Sequence, residues 1–399
     1  MKAGENTGKR MEIIDVVYGI YSIPSDVAAI VATPQFQRLK SLKQLGFLKI
    51  DNHIEHEHHR YAHCLGTYHV ASRMLDALEE NTQWLKGNNN EIPLVYRKAV
   101  QIAALLHDIA HGPFSHAWEH VVEDYVHETE AFPCIDHIFQ QINQDLFPEL
   151  RSNNNFGIEL IKALIDGRID NFKFKDQLPQ QFRFIFEIVS NKRSKLDVDK
   201  WDYLKRDSYY LKHLSQPNMD FDDVFLKARV SDCGTQIEYR YEDYDKIYNL
   251  FAARYDFHVN CYSLPEYILC DHLLSMAVQE VKPKINNKLV TKLGASDMQE
   301  FLELTDENIL QLVKTSNLSK FLKYETKFEQ VNKIPKKTVS AYAKIASLQM
   351  YMPRGERISF YGDIRNKPLV DDQTRFIRKT YTGYCDHRTQ TVYYTVECE

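Results

Sequence analysis

Glycine is scarce in this sequence, at 14 of 399 residues, about half its usual share. The shortage argues against Gly-rich sandwich architecture and in favour of helix. The seven cysteines are odd in number and form no CxxC pair, so they read as reduced thiols of an intracellular protein. Long apolar runs are missing as well. The opening stretch MKAGENTGKRMEIIDVV has no signal-peptide core, and nothing approaches the length of a membrane span. There is no strong basic cluster of the nuclear-import kind. The formal charge of −5 argues against a protein whose main task is coating nucleic acid. The expected compartment is the cytoplasm by default, with the nucleus left open.

What is present is ample core material and an uneven supply of histidine. Apolar residues make up 44% of the chain and charged residues 26%, an ordinary globular balance. From about residue 26 to 280 the pattern is helical. In VYRKAVQIAALLHDIAHG, Val95, Ala99, Ile102 and Leu106 recur at spacings of four, three and four, which predicts one buried helix face. Pro93 suits its start and Gly112-Pro113 its end. The clusters KGNNNE at 86–91 and RSNNNFG at 151–157 predict surface loops. TQIEYRYE at 235–242 alternates as a strand does. After about residue 280 charged helical pieces give way to RISFYGDI and TVYYTVECE, both rich in strand formers. The expected organisation is a helical core over 1–280 and a smaller α/β lobe over 281–399.

Eleven of the sixteen histidines fall in two short stretches, His53 to His69 and His107 to His127. His107-Asp108 closes an apolar helix, where a histidine and a carboxylate are costly unless something offsets the buried charge. A divalent metal does so, since imidazole and carboxylate are usual ligands of borderline metals. His111 lies one turn beyond His107 and is expected on the same face. The helix breaks at GPFSH, leaving His116 on a turn or a new helix start, with Glu119 three residues on to orient it. Arg60 and His63 share one side of the helix HHRYAHCLGTYHVASRMLDAL. The bland alternative is that His107-Asp108 is a helix C-cap, and HIEHEHH, with His53, His56, His58 and His59, reads as an exposed loop. His69 and His120 read as packing or surface residues. A third segment, IVSNKRSKLDVDKWDYLKRDSYYL at 188–211, is expected to put Asp199, Tyr203 and Arg206 on one helix face, with Lys200 and Asp207 beside it.

These strings resemble a known family. The spaced histidines, the His-Asp pair and a distant aspartate are similar to the signature of the HD metal-dependent phosphohydrolases. TPQFQRLKSLKQLG, HHRYAHCLGTYHVA, HDIAHGPFSH, IVSNK and DVDKWDYLKRD together closely resemble the deoxynucleoside triphosphate triphosphohydrolases that carry a SAM domain before the HD domain. The likeness runs from about residue 12 to 280, and the expectation is a chain that begins where the catalytic core would begin, without the SAM domain. It implies a mainly α fold, an HD-superfamily helical core with the smaller C-terminal α/β lobe. It also implies hydrolysis of a dNTP to deoxynucleoside and inorganic triphosphate.

Residue by residue, the resemblance makes His63, His107, Asp108 and Asp199 the ligands of a divalent metal: iron, manganese, zinc or magnesium. It makes His116, His111 and His127 the remaining active-site histidines. His116 is expected to handle the proton, with Glu119 behind it where the family usually has aspartate. Gln44 and Leu45 are expected at the deoxyribose, and Leu45 with Tyr262 would crowd a 2′-hydroxyl. Arg60, Lys200, Tyr203, Asp207, Arg254 and His258 match residues that hold the triphosphate and the 3′-hydroxyl. Ser263 stands where glutamine is common, which leaves base preference open.

Regulated relatives are activated by nucleotides bound between subunits, and that machinery looks eroded. Ala32 replaces an aspartate that reads guanine. Glu242 reverses the charge of a phosphate-binding lysine. Arg38, Arg229 and Arg240 still match basic positions. The expectation is weak or absent nucleotide activation, and a dimer rather than a nucleotide-bridged tetramer. Two other functions compete: an HD phosphohydrolase acting on another nucleotide, and an inactive nucleotide- or RNA-binding HD protein.

Overall fold

In the computed structural model, residues 10–48, 58–86, 91–323 (except 218, 220 and 222) and 326–330 are described, with strand backbone at 342–348, 359–361, 379–386 and 391–398. KGNNNE and the histidines His53 and His56 fall largely outside them.

The chain opens with a hairpin, β1 (Met11–Asp15) against β2 (Gly19–Ile23), paired so that Ile14 faces Ile20. Two short helices follow, α1 (Ser25–Val31) and α2 (Pro34–Arg38). Then come the elements that carry the site: α3 (Arg60–Asn81), a turn α4 (Gln83–Lys86), α5 (Leu94–Leu106), α6 (His127–Gln141), α7 (Pro148–Asp166) and α8 (Val198–Tyr210). α5 is the centre of the core and packs on α3 and α7, while α3 also packs on α8. Ala99, Ile102 and Leu106 are fully buried, each large aliphatic side chain worth about 1.5–3 kcal/mol of transfer free energy. Pro93 caps this helix, as its spacing predicts.

The predicted end of α5 is wrong by several residues. It stops at Leu106, and tight turns with Ile109 N donating to Leu106 O and His111 N to Asp108 O replace the next helical turn. His107 and His111 therefore do not share a helical face. The RSNNN stretch interrupts α7, with Asn153, Asn154 and Asn155 all at positive φ, a conformation that asparagine tolerates better than most residues.

Beyond α8 lie the strands β3 (Arg229–Val230) and β4 (Ile237–Arg240), then α9 (Tyr244–Phe257) and α10 (Pro265–Val281). A small hairpin, β5 (Lys284–Ile285) with β6 (Lys288–Leu289), and short helices α11 (Met298–Phe301) and α12 (Asp306–Leu312) follow. The last part is strand: β7 (Lys327–Gln330), β8 (Tyr342–Leu348), β9 (Ser359–Tyr361), β10 (Lys379–Asp386) and β11 (Thr391–Cys398). Four of these make one sheet in the order β7-β11-β10-β8, with only β7 and β11 parallel. β9 instead joins β4 in parallel, so the late segment completes a sheet begun in the helical part. The fold is mainly α, and among the described residues no helix is long and apolar enough to cross a membrane.

Candidate active site

Three helix ends converge on one point. His63 comes from the first turn of α3, His107 and Asp108 follow the end of α5, and Asp199 sits in the first turn of α8. His63 Nε2 lies 3.2 Å from His107 Nε2, 3.3 Å from Asp108 Oδ2 and 3.1 Å from Asp199 Oδ1. His107 Nε2 is 3.4 Å from Asp108 Oδ1 and 3.5 Å from Asp199 Oδ1. Ligand atoms about 2.1 Å from a central metal are separated by roughly 3.0–3.4 Å, depending on coordination number. The cluster has that spacing.

The outer partners fix which nitrogen faces inward. His63 Nδ1 is 2.7 Å from Asp202 Oδ2, and His107 Nδ1 is 3.0 Å from the Ala104 carbonyl. Each Nδ1 therefore carries its proton, so both Nε2 lone pairs point at each other and at two carboxylates. Such an arrangement calls for a cation. Burial pushes the His63 imidazole down, but its contacts with Asp108, Asp199 and Asp202 outweigh burial and hold it well above its ordinary value, the mark of a position that favours positive charge. On donor type, spacing and tautomer the four residues fit a divalent metal.

Asp202 was not among the residues singled out from the sequence, although an i,i+4 partner, Arg206, was visible. Arg206 is a correction. It does not share the face of Asp199 and Tyr203 but turns inward, donating to Asp202 at 2.9 and 3.0 Å and to Asp15 at 2.9 Å. The face toward the cavity is instead Asp199, Tyr203 and Asp207, with Lys200 at its edge, an i, i+4, i+8 row.

A second group adjoins the first. His111, His116, Glu119 and His127 lie within reach of one another. The His111 and His127 rings stack at 3.8 Å, and His111 Nε2 is 3.2 Å from Asp108 Oδ1. Glu119 Oε1 is 3.4 Å from His116 Nδ1 and 2.6 Å from His127 Nδ1, so it holds His127 more closely than His116. Burial raises the Glu119 carboxyl, but hydrogen bonds from both histidines more than reverse this and keep it ionised. His116 has 66% of its side chain exposed. It starts from an unusual backbone, since Phe114 and Ser115 both have positive φ.

Both groups open into a cavity of about 420 Å³, the size range of small-molecule sites. Cations gather on its wall: Arg60, Lys200 and Arg254. Arg60 is buried, pairs with Asp108 and donates to Ser115 Oγ at 2.9 Å. Lys200 is 3.0 Å from Asp197, the cap of α8. Burial lowers the Lys200 ammonium, but Asp197 leads the contacts that raise it, so it stays charged. Arg254 donates to Tyr203 Oη at 3.1 Å. His258 is pulled down to about 4 by burial, Arg254 and His116, and is neutral at pH 7. Gln44, Leu45, Tyr203, Asp207, His258 and Tyr262 line the same space. Asp271 lines it too, its carboxyl pushed up to about 8 by burial, and sequence reasoning passed it over.

One expectation fails here. His58 is not in an exposed loop; it is 5% exposed and stacks on Tyr210 at 4.4 Å. Arg38, which matches a basic position of the family, is turned into the core. It is buried, lies over the Phe301 ring and donates to the carbonyls of His111 and Leu304. His69, expected as a packing or surface residue, lies against Tyr21 with ring centroids 4.3 Å apart.

The HD-domain model matches residues 60–204, a span that starts at Arg60 and holds the whole metal cluster. That stretch of the chain is an HD domain. The HD core is also similar to longer proteins. The chain is 30% identical over 312 residues to the deoxynucleoside triphosphate triphosphohydrolase SAMHD1 homolog of Dictyostelium discoideum, covering 76% of this chain and 55% of that protein. It is 28% identical to deoxynucleoside triphosphate triphosphohydrolase SAMHD1 of Gallus gallus, covering 81% and 57%. For the Homo sapiens protein of that name the identity is 27%, covering 77% and 51%. These are homologues, and the chain spans a little over half their length.

Proposed function

We propose that this HD protein hydrolyses deoxynucleoside triphosphates to the deoxynucleoside and inorganic triphosphate. The observation that carries the reading is the four-residue cluster of His63, His107, Asp108 and Asp199, whose two aspartates line a cavity together with Arg60, Lys200 and Arg254. The four would hold a divalent ion. Mixed imidazole and carboxylate donors favour iron, manganese or zinc, and magnesium is the usual companion of phosphate oxygens. When bound, such an ion supplies Lewis-acid charge at the α-phosphate and an acidified water.

The protein's own groups do the rest. Lys200 and Arg254 offset triphosphate charge, and Arg60 joins them while steadying Asp108. His116 gives its proton to the departing 5′-oxygen. Glu119 and His127 brace it. His111, held neutral by burial and by Arg60, packs behind them. Asp207 accepts from the 3′-hydroxyl, while Leu45 and Tyr262 crowd a 2′-hydroxyl.

Regulation follows the same reading. Arg38 is internal, Arg229 is paired with Glu238 at 2.9 Å and Arg240 with Asp243 at 2.7 Å. These partners support weak or absent nucleotide activation and argue against a nucleotide-bridged tetramer. The test is product analysis by ion exchange with each dNTP and NTP, in Mn²⁺ or Mg²⁺, without GTP. Inorganic triphosphate from dNTPs, abolished in His116→Ala, is expected. Pyrophosphate or orthophosphate as the first product overturns the reaction proposed.

A further inference from the structure

The geometry points to His58 as a positioning residue for the cavity's sugar end, a role that rests on the function proposed above. We infer that its ring edge fixes the Asp207 carboxylate, so that this carboxylate selects substrates with a 3′-hydroxyl.

His58 sits just before α3, where a short ladder ties it to the cavity wall. Gln44 N donates to His58 O at 3.0 Å and Arg60 N to Leu42 O at 3.0 Å, with Lys43 bridged to His59. Gln44 and Arg60, on either side of this ladder, both line the cavity. The His58 side chain is only 1% exposed, and its Nε2 lies 3.1 Å from Asp207 Oδ1, whose side chain is 2% exposed. Asp207 Oδ2 meanwhile accepts from the Tyr262 hydroxyl. One carboxylate is thus gripped at one oxygen by a tyrosine from the segment after α9 and faced at the other by a histidine from before α3.

Packing alone does not explain a histidine here. The stack on Tyr210, 14° from parallel, needs only a flat ring. Both ring nitrogens of His58 and Oδ1 of Asp207 are buried with no aligned hydrogen-bond partner among the described residues, and leaving polar atoms in that state is costly. A phenyl ring would fill the space without that cost. What the imidazole adds is a polar edge at Asp207 Oδ1, close enough to become a hydrogen bond with a small ring rotation. With Oδ2 held by Tyr262 and Oδ1 held by such a bond, the remaining lone pairs of Asp207, which lines the cavity, can accept a sugar hydroxyl in one direction.

The test compares dATP with 2′,3′-dideoxy-ATP in the full chain loaded with Mn²⁺. His58→Phe keeps the stack and removes the nitrogens. The expected result is a fall in kcat/KM for dATP of about tenfold, mostly in KM, with the dideoxy substrate changed less than about twofold. The preference for the 3′-hydroxyl then collapses, and His58→Gln, which restores a donor, recovers part of it. An equal loss on both substrates means a merely structural role and overturns the inference, as does an unchanged preference. If His58→Phe does not fold, His58→Leu carries the same comparison. Should the wild type hydrolyse neither nucleotide, the hydrolase reading fails, and thermal-shift titration with the same two nucleotides decides the His58 question. A binding preference for dATP that is lost in the variant supports it; a preference the variant keeps, or none in the wild type, overturns it.

Discussion

His116 and His258 face one cavity with opposite electrostatic positions. His116 is open to solvent and braced by a carboxylate, whereas His258 is kept neutral by burial and by Arg254. In the proposed reaction the first is the proton donor, and His116→Gln is expected to lower kcat about 10²–10³-fold with little change in KM, read by steady-state triphosphate release. His258 gives a pH signature in stability. Its folded value, about 4, lies below its ordinary 6.5, so the unfolded chain binds the proton first. The stabilisation from this group is fully present above about pH 6.5 and is lost as pH falls toward 4. Urea titrations at pH 5 and 7 should show a smaller loss on acidification in His258→Gln than in the wild type. Behind the cluster, Asp202 aims the His63 ring. Asp202→Asn is expected to weaken metal binding roughly 10–100-fold, measured by competition with a chelator. Unchanged metal affinity would remove Asp202 from the site.

At the scale of elements, the site exists because α3 and α8 come unusually close. A Cβ at Gly66 would overlap Asp202 Oδ1 and Arg206 Nη2. Glycine is needed here for proximity, since the residue is helical and its backbone unremarkable. Gly66→Ala should cost about 2 kcal/mol or more by overpacking and should also displace Asp202 from His63. Thermal denaturation and metal content should fall together. Loss of stability with full metal loading would show that the contact serves packing alone. The turn after α5 follows similar logic. Ending the helix at Leu106 lets His107 and His111 diverge, one to the metal cluster and the other to the histidine stack, which a continued helix would prevent.

For the whole molecule, the segment after 280 is no appendage. Asp306 accepts from Phe114 N at 2.7 Å and Lys43 N at 2.9 Å, tying together the loops that carry Gln44 and His116. Burial raises its carboxyl to about 6, against the two backbone donors, so it is largely ionised at pH 7. Asp306→Ala should lower kcat/KM about tenfold with the fold retained, as judged by circular dichroism, because both loops lose a shared anchor. At the same scale, sedimentation velocity with and without GTP should coincide, since Arg229 and Arg240 have carboxylate partners within their own chain. A GTP-driven tetramer would overturn the expected absence of nucleotide bridging.

By itself the sequence determined the helices and the local chemistry. Apolar spacing placed α5 and its buried face, alternation placed β4, and the family strings brought the four cluster residues and the cavity cations onto the page. Those signals are local, because periodicity reports which side of an element is buried. Periodicity does not say what meets that side. Only tertiary structure set His63 against Asp202, 139 residues away, and Lys43 against Asp306, 263 away. It also turned Arg206 and Arg38 inward and buried His58 in a stretch whose composition reads as a solvated loop. The physical reason is the same in each case. A charged or polar side chain looks solvated until a distant partner offsets its burial, and that partner is chosen by the packing of helices.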